Sequence, residues 1–449
     1  MKNIISIFSI ALLWSVSVNA QSNDTKKADK HFNKYEFVEA AEDYLKLATN
    51  GKGDTYVYSQ LAESYYNVFN TVEAEKWYAK ALETSSDPEM VYNYSQMLKA
   101  NGDYEESNVQ LAKFSSMRPA DNRAIAFREN PNYLPKILEK GKKFNIQGLA
   151  INSEVSDFGG NLQNGKLYIT SARSGKRKTY GWNEEPFLDI YTAIANEDGS
   201  FQMPSIIEDN INTKYHEGTV SFSPDGNTMY FSRESFYEKV YERDPSTKYK
   251  ISVLHLYKSI NQEGQWSEAE PLSVNGDNYS VKNPSVSADG STLYFASDKA
   301  DGYGNFDIYS AAIDENGSVG EATNLGQKLN TEGQEMFPFI SANNTLYFSS
   351  NGHLGLGGLD VFFAKIVDGK VGPVRNIGIP VNGNADDFAF SINEETEEGF
   401  VSSNREGGMG SDDIYAIKKL QPICDVLMTV TVRDSKTGLI LDGASVSIQ

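Results

Sequence analysis

Small and bulky apolar residues recur with a helical period over the first quarter of the chain. Small side chains stand 33 or 34 residues apart in two sets: Ala28, Ala62 and Ser95, and Ala40, Ala74 and Ser107. Bulky residues keep the same register at Tyr44, Tyr78 and Leu111. Antiparallel helices approach closely where small side chains face each other and large ones fill the adjacent holes. The pattern therefore predicts three stacked helical pairs, a solenoid whose concave surface suits a peptide or partner helix.

From residue 144 the apolar period changes to alternation between turn residues, which predicts many short β-strands. Five alternating runs recur: Leu167-Tyr168-Ile169, Met229-Tyr230-Phe231, Leu293-Tyr294-Phe295, Leu346-Tyr347-Phe348 and Phe400-Val401. A further strand follows each run and begins at Asp189, His255, Asp307, Asp360 or Asp413, the last four being 52, 53 and 53 residues apart. Asp-Gly turns at 225–226 and 289–290 favour hairpins. Five copies of one unit predict a five-bladed β-propeller.

A fourth element carries an asparagine in four of the five copies: Asn212, Asn275, Asn330 and Asn382. The fifth copy ends near Ile417 and has no such segment after it. The missing segment is found at residues 144–152, because Asn152 precedes Asp157 by the same five residues that separate Asn382 from Asp387. We therefore predict that the strand at 144–152 completes the last blade, which leaves few exposed sheet edges.

Both ends of the chain have patterns of their own. The first 20 residues have a positive start and an apolar core, with small residues before Gln21, so we expect a signal peptide cleaved between Ala20 and Gln21. Residues 425–449 alternate around Thr437-Gly438 and predict the first half of a β-sandwich that the chain does not complete. The predicted organisation is a signal peptide at 1–20, helical repeats at 21–120, a linker at 121–143, a propeller at 144–420 and the sandwich fragment.

Composition narrows the possible functions. The net charge of -20 argues against nucleic-acid binding, and the single cysteine, Cys424, excludes an internal disulfide framework. Beyond the leader, no stretch reaches the roughly 20 apolar residues that a membrane-spanning helix needs. We therefore expect the mature chain to be soluble in an extracytoplasmic compartment.

The candidate chemistry is sparse. No G-x-S-x-G nucleophile motif occurs, and the histidines are scattered without zinc spacing, so we expect neither an enzyme nor a cofactor. One loop has the oxygen density of a calcium site, with Asp298, Asp301, Asn305 and Asp307. The equivalent loops keep their glycines but not these acids, so tight turning is the favoured explanation. A glycan-binding or glycan-cleaving propeller is the alternative function, with Asp225 and Asp289 as candidate acids.

The helical units resemble tetratricopeptide repeats, and the β-units resemble the WD40-like repeats of TolB-type propellers. The last segment is similar to a carboxypeptidase-regulatory-like domain. In this order the three resemble multidomain envelope proteins of the Bacteroidota that usually end in an OmpA-like domain, and particularly the PorE-like component of type IX secretion. The resemblance implies a periplasmic scaffold at the outer membrane that binds protein partners, with any peptidoglycan link made through a domain absent from this chain. It does not say which face binds.

Overall fold

The computed structural model describes residues 24–207, 210–243, 247–420 and 431–441. The predicted cleavage site at Ala20 and Gln21 and most of the predicted sandwich fragment therefore lie outside the described residues. Within them, the chain forms a layer of helices followed by a five-bladed β-propeller. None of the described helices is both long enough and apolar enough to cross a bilayer.

Eight α-helices come first in the described part of the chain, and each from α1 to α6 packs on the next. They are α1 (Lys26–Phe32), α2 (Phe37–Leu47), α3 (Thr55–Asn67), α4 (Thr71–Leu82), α5 (Pro88–Ala100), α6 (Tyr104–Met117), α7 (Asn122–Glu129) and α8 (Tyr133–Leu138). A π-helical turn, Ala48–Lys52, extends α2. An aspartate or asparagine side chain caps the first turn of each helix from α3 to α7 by accepting a backbone N–H. The small residues of the sequence repeat lie at helix contacts, where the Ser107 hydroxyl donates to the Ser95 carbonyl at 2.8 Å.

The stretch predicted as a linker, 121–143, is instead largely helical, which corrects that prediction. It forms α7 and α8, and their Phe127 and Ile137 pack in one apolar cluster with Phe114 of α6 and with Leu356 of the propeller. Pro131 and Pro135 lie in this stretch, and a proline commonly marks a break in helical structure. Pro135, however, lies in the first turn of α8, where a residue without an N–H costs no hydrogen bond.

The five sheets follow in chain order as blades 1 to 5. Blade 1 contains Asp157–Gln163, Lys166–Ser171, Asp189–Ile194 and Ser205–Ile206. Blade 2 contains Glu217–Phe222, Thr228–Glu234, Leu254–Gln262, Gln265–Trp266 and Glu270–Pro271. Blade 3 contains Val281–Val286, Thr292–Ser297, Asp307–Ala312 and Thr323–Asn324. Blade 4 contains Glu335–Ile340, Thr345–Ser350, Asp360–Val367, Lys370–Val371 and Arg375–Asn376, and blade 5 contains Asp387–Asn393, Glu398–Ser403, Asp413–Lys419 and Phe144–Gly148.

The first strand of each blade is its inner strand, and it contacts the inner strands of both neighbouring blades, so the ring is closed. In blade 5 the outermost strand comes from the start of the propeller sequence. Phe144–Gly148 pairs antiparallel with Asp413–Lys419, from Phe144 opposite Lys419 to Gly148 opposite Tyr415. This strand is shorter than the predicted segment 144–152. Asn152 lies beyond its end and contacts Ile414 through its side chain.

One asparagine per blade fastens the outer part of each sheet to the third strand. Its side chain accepts from the N–H of one residue and donates to the C=O of the same residue, at 2.7 to 3.1 Å. The pairs are Asn212 with Ile190, Asn275 with Leu256, Asn330 with Ile308, Asn382 with Val361 and Asn152 with Ile414. Each amide therefore replaces one backbone partner of a strand. We call these five residues the asparagine clamps.

The helical layer packs on the propeller face where the inner strands begin. In α5, Tyr92 and Gln96 donate to the Asn351 carbonyl at 2.6 and 3.0 Å. Lys99 of the same helix is 2% exposed and lies within the electrostatic influence of Asp360, which is 1% exposed. Burial lowers the pKa of Lys99 and raises the pKa of Asp360, and their mutual attraction opposes both shifts. Helices and propeller therefore share a buried, partly ionic junction.

Candidate functional site

Every inner strand contains a β-bulge at the same position, and these bulges form the wall of the central channel. The register with the second strand shifts there in all five blades. The bulged residues have positive φ: Gly159, Thr219, Asn283, Phe337 and Ala389. Non-glycine residues rarely adopt such angles. Recurrence in five blades with different side chains indicates that the fold imposes the bulge, which increases local strand twist.

The channel wall is apolar on one side and polar on the other. Phe337 lies 4.9 Å from Phe388 and 6.4 Å from Phe158 between ring centroids, so blades 1, 4 and 5 contribute a cluster of three rings. Blades 2 and 3 contribute polar groups instead. The Asn283 amide donates to the Thr219 hydroxyl at 3.1 Å, while its Oδ1 is buried without a partner. The channel is therefore amphipathic rather than uniformly packed.

Two cavities meet at these bulges. A small cavity of about 170 Å³ lies where the inner strands end. A much larger one, about 1050 Å³, lies where they begin, on the side of the helical layer. Thr219, Asn283 and Phe337 border both. Ligand sites are commonly concave and of several hundred Å³, so the larger cavity, here called the mouth cavity, is the candidate site.

Two insertions and a helical turn build the wall of the mouth cavity. Residues 172–188 of blade 1 and 235–253 of blade 2 connect the second and third strands, and each is about twice as long as its counterparts 298–306, 351–359 and 404–412. Tyr180 and Trp182 come from the first insertion, and Phe236 and Tyr249 from the second. The turn between α1 and α2, at 33–36, closes the third side. The site lies where the blade repeat is broken.

Trp182 joins the insertion of blade 1 to the helices. Its ring lies edge-on to Phe37 at 4.7 Å and stacks on Tyr35 at 6.1 Å. The indole Nε1 donates to the Asn67 carbonyl at the end of α3, at 2.8 Å. This contact holds the wall of the mouth cavity against the helical layer.

Lys282 is the cation placed deepest in the mouth cavity. It occupies the inner strand of blade 3 at the position that Phe158 and Phe388 hold in blades 1 and 5. Its Nζ lies 3.7 Å from the ring centroid of Phe306, and none of the described contacts is a hydrogen bond or an ion pair of this group. Burial lowers the pKa of Lys282 to about 8, and the opposing attraction of Asp298 does not compensate. The ammonium is therefore poorly solvated and has an aromatic face in place of an anion.

His216 is a second polar group in the wall. Its Nδ1 accepts from the Leu188 N–H at 3.1 Å, which leaves the proton on Nε2, a buried atom without a hydrogen-bond partner. The Tyr180 ring lies edge-on at 4.4 Å. Burial lowers the pKa of His216 to about 4, so the imidazole is neutral at physiological pH.

The acids that begin four of the inner strands are engaged in the fold. Asp157 pairs with Arg173 at 2.5 Å, Glu217 lies 3.3 Å from Arg233, and Asp387 pairs with Arg405. Glu335 has no cation, and accepts instead from Thr331 and Ser350 at 2.6 to 2.7 Å. Its burial raises the pKa of Glu335 to about 7. These carboxylates fasten strands to loops, a role that the sequence pattern did not reveal.

The four calcium candidates are not assembled around one point by their contacts. Asp307 accepts from the Tyr303 and Gly304 N–H groups at 2.7 and 3.1 Å, so amide donors occupy its carboxylate. Asp298 accepts from Ser280 N–H, Asp301 pairs with Lys299, and the Asn305 N–H donates to the Gly333 carbonyl. Among the described residues, no group of three or more His, Cys, Asp or Glu side chains is arranged to hold a metal ion.

Glycines persist in these loops for a steric reason. A Cβ at Gly302, Gly355 or Gly408 would collide with the carboxylate of Asp307, Asp360 or Asp413 respectively. The loop wraps closely around the aspartate that begins the third strand, and backbone N–H groups reach it only without an intervening side chain. Loop turning therefore accounts for the shared glycines.

The acids proposed for the glycan alternative lie elsewhere. Asp225 and Asp289 are in turns that follow the inner strands, at the end away from the mouth cavity. Each accepts from the serine two residues before it, at 2.5 Å, and from the backbone two residues after it, at 3.0 Å. These bonds lower the pKa of both carboxyls. Both residues perform ordinary turn chemistry.

No family model and no curated protein matches this chain. Solved structures that are similar to it include a TolB protein of Agrobacterium tumefaciens, with 15% identity and a TM-score of 0.34, over 59% of this chain and 78% of that one. A Dyadobacter fermentans protein of unknown function has 12% identity and a TM-score of 0.37, over 60% and 78%. The arabinanase of Bacillus subtilis has 10% identity and a TM-score of 0.36, over 61% and 96%. Similarity at this level indicates nothing about activity, and the five-bladed fold rests on the sheets described above.

Proposed function

We propose that the protein is a non-enzymatic scaffold of the cell envelope, exported to the periplasm and associated with the outer membrane. In this proposal the helical layer is a tetratricopeptide-type solenoid, and it holds protein partners together with the propeller. The resemblance in domain order supports a place in type IX secretion or in a link between outer membrane and peptidoglycan. The observation that carries the proposal is the mouth cavity, whose wall joins both parts of the chain.

The exposed surface of the helical layer supports a second contact. The junction with the propeller is formed mainly by α3 and α5, through residues such as Asn67 and Tyr92. One face of α6 also contributes, where the Tyr104 hydroxyl donates to the Leu356 carbonyl at 3.0 Å. Helices α4 and α6 instead carry exposed valines, Val72 at 66% and Val109 at 53%. Exposed apolar side chains on these two helices suit a protein partner, although single ones are ordinary on any surface. The partner surface in this proposal is therefore α4 and α6 together with the rim of the mouth cavity.

Site-specific crosslinking in intact cells tests this function. A photoreactive residue replaces Val109 on α6, Tyr237 at the rim or, as the control, Val367 on blade 4; these are 53, 54 and 62% exposed. We expect capture of the same outer-membrane or wall-associated protein from the first two positions and not from the third. Absence of any envelope protein above background, or equal capture from Val367, contradicts the proposal.

A glycan-binding or glycan-cleaving propeller is the second candidate, because aromatic rings line the mouth cavity. Tyr180, Trp182 and Tyr249 offer faces on which the apolar side of a sugar can pack. Hydrolysis needs two carboxylates across the scissile bond, and Glu234, whose pKa burial raises, is a cavity acid that could serve as one. A glycan array with a hydrolysis assay separates the candidates. Turnover that Glu234→Gln abolishes would favour the enzyme.

A further inference from the structure

The mouth cavity combines a lysine with an apolar wall. Four features meet there: the Lys282 ammonium, the Phe306 ring below it, the Phe158 and Phe337 rings across the channel, and the unpartnered Oδ1 of Asn283. Asn283 is only 7% exposed. A buried polar atom without a partner costs roughly 1–3 kcal/mol, so it indicates a partner that the chain itself does not supply.

The charge at Lys282 is the more informative feature. A cation over an aromatic face gains some attraction, but far less than a charge-assisted hydrogen bond. The nearest acid that influences Lys282 is Asp298, and its carboxylate is engaged by the Ser280 N–H at 2.6 Å. In a chain of net charge -20, a lysine in this position is not explained by the overall electrostatics. An anionic group of a ligand would supply its missing partner.

The surroundings of Lys282 specify the remainder of that ligand. A strongly hydrated polyanion does not suit the inner part of the cavity, because the Phe158, Phe306 and Phe337 rings and acids such as Glu234 and Asp298 line the same wall as Lys282. The other lining lysines, Lys34, Lys248 and Lys250, are exposed. A monoanion that carries an apolar or aromatic group satisfies both the ammonium and the rings. The cavity volume of about 1050 Å³ leaves room for several residues of a peptide as well as for a small molecule.

We infer that the mouth cavity binds an apolar carboxylate, with the carboxylate on Lys282 and the apolar group against Phe158 and Phe337. The carboxylate comes either from the C-terminal end of a peptide or from a free small acid. The inference depends on the cavity alone and goes beyond the proposed envelope role, so failure of partner crosslinking leaves it intact.

Calorimetric titration of the full chain tests the inference with three probes. They are N-acetyl-Ala-Ala-Phe with a free carboxylate, the same peptide with a C-terminal carboxamide, and N-acetylphenylalanine. We expect the free acid peptide to bind at least ten-fold more tightly than the carboxamide. Binding of N-acetylphenylalanine at similar strength supports the inference and assigns a small acid as the source, whereas binding of the peptide acid alone supports it and assigns a chain end.

Variants identify the residue responsible. Lys282→Met keeps the length of the side chain but removes its charge, and we expect it to abolish the preference for the acid, whereas Lys282→Arg keeps the preference. Lys370→Met, at an exposed lysine of blade 4, is the matched control and should bind as the unchanged protein does. Thermal unfolding establishes that each variant is folded. The inference is overturned if neither acid binds, if acid and carboxamide bind equally, or if folded Lys282→Met retains the preference.

Discussion

The asparagine clamps predict a large and local loss of stability on a single substitution. Asn330 is fully buried, and Asn330→Ala removes its bonds to the N–H and C=O of Ile308, at 2.9 and 3.0 Å, and a third to Asn324 at 2.9 Å. The Ile308 N–H is then buried without a partner, at about 1–3 kcal/mol, whereas the Ile308 C=O keeps the Leu325 N–H as a donor at 3.1 Å. Together with the lost hydrogen bonds, we expect the free energy of unfolding to fall by about 2–4 kcal/mol and the melting temperature to fall by roughly 5–10 °C.

Urea unfolding followed by circular dichroism measures this loss in the full chain. The matched control is Asn316→Ala, because Asn316 is exposed and only its backbone N–H is bonded, to Asp314. Substitutions of this kind usually change stability by less than about 0.5 kcal/mol. A loss below about 1 kcal/mol for Asn330→Ala, or a loss no greater than that of Asn316→Ala, would refute the strand-replacement role of the clamp.

Three further predictions concern the acids and the junction. Burial raises the pKa of Glu335 from 4.5 to about 7, so the folded state favours the protonated carboxyl. The free energy of unfolding should therefore fall by up to about 3 kcal/mol as the pH rises from about 4.5 to 7. Glu335→Gln should flatten that part of the urea-unfolding profile, and parallel profiles would contradict the prediction. Lys99→Met should destabilise the fold by about 1–3 kcal/mol, because it leaves the Asp360 carboxyl buried without its cation. The double variant with Lys99→Met and Asp360→Asn should recover part of this loss. No recovery would argue against coupling of the two residues. Trp182→Ala should reduce amide-exchange protection at least ten-fold in residues 33–37 and 178–187 but not in blade 3, whereas a uniform change would indicate global destabilisation.

The parts of the fold that could be predicted from sequence are those with fixed spacing. The spacing of five residues from Asn152 to Asp157 marks the last blade, because the clamp and the start of the inner strand are five residues apart in four of the five copies and six apart in blade 3. The stretch predicted as a linker, 121–143, is instead largely helical, and Pro135 does not prevent this because the first turn of a helix accepts a proline. The bulges could not be predicted from the sequence, since Thr219, Asn283, Phe337 and Ala389 share no residue type. Their positive φ angles arise from the closed ring of blades.

Most of the candidate site could not be predicted from the sequence, for a related reason. The spacing of 66 residues from Asp189 to His255, against 52 and 53 elsewhere, does indicate an insertion. That this insertion of blade 2 and the insertion of blade 1 fold over the channel mouth depends on tertiary contacts, such as that of Trp182 in blade 1 with Phe37, which are absent from any local pattern. Lys282 stands where other blades carry phenylalanine, glycine or methionine, and its importance becomes visible only when the blades are superposed by their bulges.

The pairing of Phe144–Gly148 with Asp413–Lys419 also constrains the order of folding. The side-chain bonds of Asn152 to Ile414 span 262 residues of the chain, so the entropic cost of closing this loop is met only at a late step. During synthesis, Phe144–Gly148 emerges early but has no strand to pair with until Lys419 has emerged. Until then, the inner strand of blade 1 has only one neighbouring blade. A nascent chain of this kind therefore keeps an open ring with an unpaired sheet edge for most of its synthesis.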